Sequence, residues 1–119
     1  MVIQQGDVVW LDLGAARGSA PAGRRPAVVL QHDRFNRTAI GTTVVVAITS
    51  NLRYGALPGN VRLRKGEGGL SRPSIVNVTQ IASVDRSDLR SIAGHLSSRR
   101  LSEVWSGVRV VLEPRAPEP

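Results

Sequence analysis

Apolar positions along this chain change period, dividing it into a series of strands followed by a helix. Residues 7–13, Asp-Val-Val-Trp-Leu-Asp-Leu, put Val9, Leu11 and Leu13 on one face of a half-buried strand. Residues 26–31 carry Ala27-Val28-Val29-Leu30 without interruption, as a strand buried on both faces does. The Thr/Val/Ile-rich run over residues 42–49 is the strongest strand signal. Residues 60–63 alternate briefly. Residues 74–78 and 80–84 give one or two more strands, or a single strand kinked near Thr79. Between these runs lie a flexible Gly/Ala/Ser/Pro loop over residues 14–24, a polar connection over 32–41, a Pro58-Gly59 turn and the breaker Gly66-Glu67-Gly68-Gly69.

After residue 84 the spacing lengthens. Residues 87–93 read as a short helical turn stopped by Gly94. Leu101, Val104, Trp105, Val108, Val111 and Leu112 then recur at helical spacing, as the core-facing stripe of one amphipathic helix. Ser97 or Ser98 is its expected N-cap and Pro114 its stop. The pattern predicts class α+β: a small, strongly curved antiparallel sheet or open barrel with a C-terminal helix. Residues 1–113 are expected to form a single domain, and the Pro-rich residues 114–119 a flexible tail.

Composition narrows the chemistry. A chain of 119 residues buries roughly two-thirds of the surface it exposes when unfolded, enough for one core. Hydrophobic residues at 41% and charged residues at 21% are globular proportions. With no cysteine there is no disulfide and no thiolate nucleophile. No apolar run approaches the ~20 residues of a membrane-spanning helix, and the first residues lack a secretory pattern, so a cytoplasmic protein is expected. The net charge of +7, from 16 basic and 9 acidic residues, favours a polyanionic partner. All the basic residues except Lys65 are arginine, a skew that GC-rich coding also produces, so charge alone does not choose between nucleic acid and an acidic protein.

Most catalytic classes find no support. His32 and His95 are far apart, without clustered carboxylates or thiols, so no metal site is expected. No serine sits in a Gly-x-Ser-x-Gly elbow, and no glycine cluster forms a phosphate loop. What stands out is Arg25-Pro26 where one apolar strand begins and Ala47-Ile48-Thr49-Ser50-Asn51 where another ends. A guanidinium forks onto phosphate oxygens and stays charged, and a threonine hydroxyl both donates and accepts. Such a pair can work by positioning and charge stabilisation alone. RNA suits that limit, because its 2′-OH is a built-in nucleophile beside the scissile phosphate. Taken singly, each residue is ordinary, since Arg before Pro is extended backbone and Thr is common in strands. The amides of Asn77 and Gln80 suit either base readout or the capping of strand ends.

These residues sit in blocks that resemble the MazF/PemK family, the endoribonuclease toxins of type II toxin–antitoxin modules. The blocks are Gly6-Asp7-Val8-Val9-Trp10-Leu11-Asp12-Leu13, Arg24-Arg25-Pro26-Ala27-Val28-Val29-Leu30-Gln31, Ala47-Ile48-Thr49-Ser50-Asn51, Pro58-Gly59-Asn60-Val61 and Ser74-Ile75-Val76-Asn77-Val78-Thr79-Gln80-Ile81. They come in family order across residues 4–112. The resemblance implies an SH3-like, CcdB/PemK-like barrel and a homodimer. It also implies metal-independent cleavage of single-stranded RNA without a cofactor, leaving a 2′,3′-cyclic phosphate and a 5′-hydroxyl. The family's catalytic Arg and Thr correspond to Arg25 and Thr49. Ser19, Arg24, Ser50, Asn51, Asn77 and Gln80 are the expected RNA-binding residues. The expected partners are single-stranded RNA and an acidic, MazE-like antitoxin, with no membrane. Two departures bear on target sequence: Thr79 stands where some relatives carry an acid, and Arg62, Arg64, Lys65 and Arg72 make the segment before residue 74 unusually basic. Gyrase-poisoning toxins share the fold, so the alternative is a toxin that binds a protein target such as DNA gyrase without catalysis.

Overall fold

Six strands pair into one antiparallel sheet in the computed structural model, which describes residues 1–12, 14, 15, 18 and 23–115. The strands are β1 (Asp7–Asp12), β2 (Arg24–Val29), β3 (Thr42–Thr49), β4 (Val61–Leu63), β5 (Ser74–Asp85) and β6 (Leu89–His95). Their spatial order is β4-β5-β3-β2-β1-β6. A four-residue helix, α1 (Asp33–Asn36), joins β2 to β3, and α2 (Ser98–Leu112) closes the chain. This is an α+β half-barrel with a C-terminal helix, as the hydrophobic pattern predicts. Leu13 and residues 116–119 lie outside the described residues.

The sheet curls because its central strands bury side chains on both faces. Val8, Val28, Val46, Ile48, Leu63, Val76 and Val78 point into one cluster, which Val104 and Val108 of α2 complete. Val9, Leu11, Ala27, Val29 and Val45 form a second cluster with Ile3, Val84 and Leu89. Neighbouring residues thus serve opposite faces, as a period of two requires. β5 is a single long strand, but its register against β3 slips between Val46↔Ile81 and Ile48↔Val76. Residues 77–80 bulge opposite Ala47, which is the kink expected near Thr79.

β4 and β6 lie at opposite ends of the strand order, yet backbone contact joins the two margins. The 3-10 turn Glu67–Gly69, after β4, reaches β6, where a Cβ on Gly69 would stand 2.0 Å from the Ala93 carbonyl oxygen. A Cβ on Gly94 would meet Gly68 at 2.6 Å. Only glycine on both sides permits this seam. β6 corrects the helical turn expected over residues 87–93. Only Arg86–Asp88 turns, and Leu89–His95 pairs with β1 instead. Pairing with β1 and the seam override the weak local pattern.

α2 begins at Ser97, whose hydroxyl accepts the Arg100 N–H at 3.2 Å. Gly107 lets the helix lie on the Pro58-Gly59 turn, where a Cβ would be 2.1 Å from the Gly59 carbonyl oxygen. Trp105 is a second correction. It is 39% exposed rather than core, because the face meeting the sheet is centred on Val104, Gly107 and Val108. Trp105, Val110, Val111 and Leu112 form an outward continuation of the apolar stripe.

Candidate active site

The first residues of β2 and β5 and the last of β3 meet at one rim of the sheet. β2 and β3 pair Ala27↔Ala47, and the same register carried two residues further sets Arg25 opposite Thr49. Thr49 in turn pairs with Ile75, beside the start of β5, and Trp10 of β1 pairs with Pro26. Pro26 confines Arg25 to extended backbone, so its side chain leaves the rim from a fixed strand start.

A cavity of about 290 Å³ opens here. Arg24, Arg25 and Arg72 are its cations, and Thr49, Ser50, Ser71 and Ser74 its hydroxyls. Ile48 and Leu70, both buried, also line it, and Trp10 presents a 38% exposed indole. Among the described residues, none that lines it is acidic. Asp12 lies opposite Arg24 in the β1–β2 pairing, where its Oδ1 accepts the Gly14 N–H, and several other acids are engaged by protein groups. Glu67 and Glu103 hold the Arg100 guanidinium at 2.9 and 3.0 Å, and Asp7 meets His95 Nδ1 at 2.9 Å. The hydrogen bond from Arg100 holds the Glu67 carboxyl below its ordinary range, and the Gln5 backbone N–H does the same for Asp33. A larger cavity, about 480 Å³, is lined by Asp12, Asp85 and Asp88 against Arg90, a balance that disfavours a polyanion.

Local hydrogen bonds set the hydroxyl's direction. Thr49 Oγ1 accepts the Asn51 backbone N–H at 3.1 Å, so the hydroxyl proton is left to donate elsewhere. Asn51 Oδ1 accepts the Arg53 N–H at 3.2 Å and caps the 3-10 turn Leu52–Ala56, which leaves its NH2 to donate to a ligand.

Of the residues named from sequence, Arg24, Arg25, Thr49 and Ser50 come together in this cavity, with Asn51 adjoining. Asn77 and Gln80 do not line it. They lie in the β5 bulge, where buried Asn77 accepts through Oδ1 from Asn60 Nδ2 at 3.3 Å and Thr79 Oγ1 at 3.1 Å. Ser19 lies outside the described residues. Sequence reasoning did not single out Trp10, Ser71, Arg72 and Ser74 as site residues. Arg72 had a legible signal: Arg72-Pro73 precedes an apolar strand just as Arg25-Pro26 does. Among the described residues, no group of three His, Cys, Asp or Glu side chains could hold a metal.

Comparison with known proteins agrees with the fold. A family model described as PemK-like, MazF-like toxin of type II toxin-antitoxin system matches residues 4–112. Endoribonuclease MazF6 of Mycobacterium tuberculosis (strain ATCC 25618 / H37Rv) is 41% identical over 113 residues, covering 95% of this chain and 99% of that protein. The crystal structure of MazF (Form-I) from Deinococcus radiodurans superimposes with a TM-score of 0.80 at 26% identity, covering 96% and 99% of the two chains. That of MazE-MazF (Form-II) from the same organism gives 0.76 at 25% identity, covering 97% and 99%.

Proposed function

The chain belongs to the PemK-like, MazF-like toxins of type II toxin–antitoxin systems and is an endoribonuclease, and from that premise we propose that Arg25 and Thr49 form its catalytic centre. The substrate is single-stranded RNA. The 2′-oxygen loses its proton to solvent as it attacks the adjacent phosphorus in line, the P–O5′ bond breaks, and O5′ takes up a proton from solvent, so the products are a 2′,3′-cyclic phosphate and a 5′-hydroxyl. Arg25 donates N–H bonds to the nonbridging oxygens as charge builds on the phosphorane, and the Thr49 hydroxyl donates to the same group. The reaction needs no metal, because substrate supplies the nucleophile and Arg25 the positive charge. Arg24 and Ser50 hold the flanking backbone. Asn51 offers its NH2 beside them, Asn77 and Gln80 act outside the cavity, on bases further along the strand, and Ser19 is a further RNA contact.

The observation that carries this reading is that Arg25 and Thr49 line one cavity with no acid among its described residues. The test is cleavage of single-stranded RNA by purified protein in EDTA, with sequencing of the new 5′ ends. Cutting is expected to persist in EDTA, to stop when the target 2′-OH is replaced by hydrogen, and to stop in Arg25→Ala. A requirement for added metal, or cleavage of the 2′-deoxy substrate, overturns the mechanism.

The second reading, a toxin that poisons a protein target without catalysis, draws only on the exposure of Trp105. A relative at 41% identity bearing the name endoribonuclease argues against it. The other partner is a MazE-like antitoxin, whose acidic segment covers the basic rim and orders on binding. The exposed apolar side of α2, with Trp105, Val110 and Leu112, suits a homodimer. Among the described residues no helix is long and apolar enough to cross a membrane, and the site of action we assign is the cytoplasm, where its RNA is.

A further inference from the structure

We propose that Arg72 is a second phosphate-binding residue of the same site, holding the backbone phosphate next to the one that is cut. The inference rests on the endoribonuclease reading and adds a residue to it.

Three observations carry it. Arg72 lines the cavity that contains Arg25 and Thr49, although it arrives from a different part of the chain. Its guanidinium makes no hydrogen bond or ion pair with any described residue, whereas Arg86, Arg99 and Arg100 are all engaged by protein groups. An exposed cation with no partner among the described residues need not break a protein ion pair before it takes an anion. The arm that delivers it is also held at both ends. Leu70 is buried four residues before β5, and the Ser74 hydroxyl donates to the Arg72 carbonyl at 3.0 Å. Arg72 sits in a bend just before β5, and Pro73 after it restricts its backbone as Pro26 restricts Arg25.

With Arg25 and Thr49 assigned to the scissile phosphate, the second cation of the lining, brought by a different part of the chain, is assigned to the next one. The arrangement matches two successive phosphates, with Arg25 on the scissile one and Arg72 on its neighbour. Arg72 therefore supplies ground-state binding and register, not stabilisation of the reacting phosphorus.

The experiment uses the full chain and an RNA oligonucleotide spanning the cut site mapped in a total-RNA digest. A cleavable version gives kcat and KM. A version with hydrogen replacing the 2′-OH at the cut gives Kd against salt, and neutral methylphosphonate linkages are placed one at a time along it. Arg72→Ala is expected to raise KM about tenfold with kcat within about threefold. It should also make the slope of log K against log salt shallower by about 0.7, the value for one phosphate contact on a single strand. Arg72→Lys should restore the slope and part of the affinity. Arg109→Ala, which removes an equal charge from α2, should leave the slope unchanged. The neutral linkage beside the cut should weaken wild type and leave Arg72→Ala indifferent. A fall in kcat at constant KM, an unchanged slope, or a response equal to that of Arg109→Ala overturns the proposal while the nuclease reading stands. Failure of wild type to cut RNA overturns the nuclease reading first, and Arg72 with it.

Discussion

Replacing Thr49 with valine isolates the hydroxyl on which the proposed chemistry depends. Valine keeps the shape and β-branching of threonine, so strand preference and packing at the end of β3 are preserved. The change removes the acceptor of the Asn51 N–H, a 3.1 Å bond between partly exposed groups. Water can replace that partner, so the loss of stability should stay within about 1 kcal/mol, or about 4 °C in Tm. The rate should suffer far more. A preorganised donor to a developing oxyanion is worth about 3 kcal/mol, which is a hundredfold or more in cleavage rate. Single-turnover cleavage with enzyme in excess measures that loss, and thermal unfolding measures the other. Thr49→Ser restores the hydroxyl and should return the rate to within about tenfold of wild type. Asn51→Ala removes the acceptor of the Arg53 N–H and loosens the 3-10 turn without touching the hydroxyl. If Thr49→Val cuts within threefold of wild type, or if Asn51→Ala reproduces its whole defect, the hydroxyl is not the catalytic group.

Further outcomes follow from the frame around the site. Gly107→Ala should destabilise the fold by about 1–3 kcal/mol, because the added methyl overpacks against Gly59 and outweighs the gain of about 1 kcal/mol in helix propensity; a urea midpoint at or above wild type would contradict the packing described. The folded-state pKa values of Glu67 and Asp33 are depressed, so their contribution is complete above the unfolded values of 4.5 and 3.8 and is lost as pH falls through the folded ones. Glu67→Gln should therefore flatten the decline in urea midpoint between about pH 5 and about pH 3, and a decline as steep as wild type would show that the Arg100 contact contributes nothing.

How legible the molecule was depended on where the determining contacts lie. β3 is readable because residues 42–49 carry their own preference, and the start of α2 because a serine hydroxyl caps it locally. β6 was not readable. Leu-Arg-Ser-Ile-Ala-Gly-His has no clean alternation, and its extended form comes from β1 and from a glycine seam contributed more than twenty residues earlier. Trp105 was misplaced for a related reason. The apolar stripe of α2 is wider than the sheet face it covers, and periodicity cannot say which margin of a wide stripe is left outside. In the site, Arg25 and Thr49 stood out because each ends a strong strand. Trp10 and Ser74 join them through the pairing of β1 with β2 and of β5 with β3, which no local pattern encodes, and Ser71 through the bend before β5.

The paired glycines at residues 68–69 and 94 divide the neighbouring loop into a part that can vary and a part that cannot. Side chains on Gly69 or Gly94 would force the barrel margins apart, whereas Ser71 and Arg72 line the cavity. A laboratory library aimed at retargeting the nuclease to new RNA sequences should diversify the second stretch and leave the first alone. Inheritance faces the same partition: drift in cutting preference can accumulate three residues from a junction where almost any substitution would be fatal to folding.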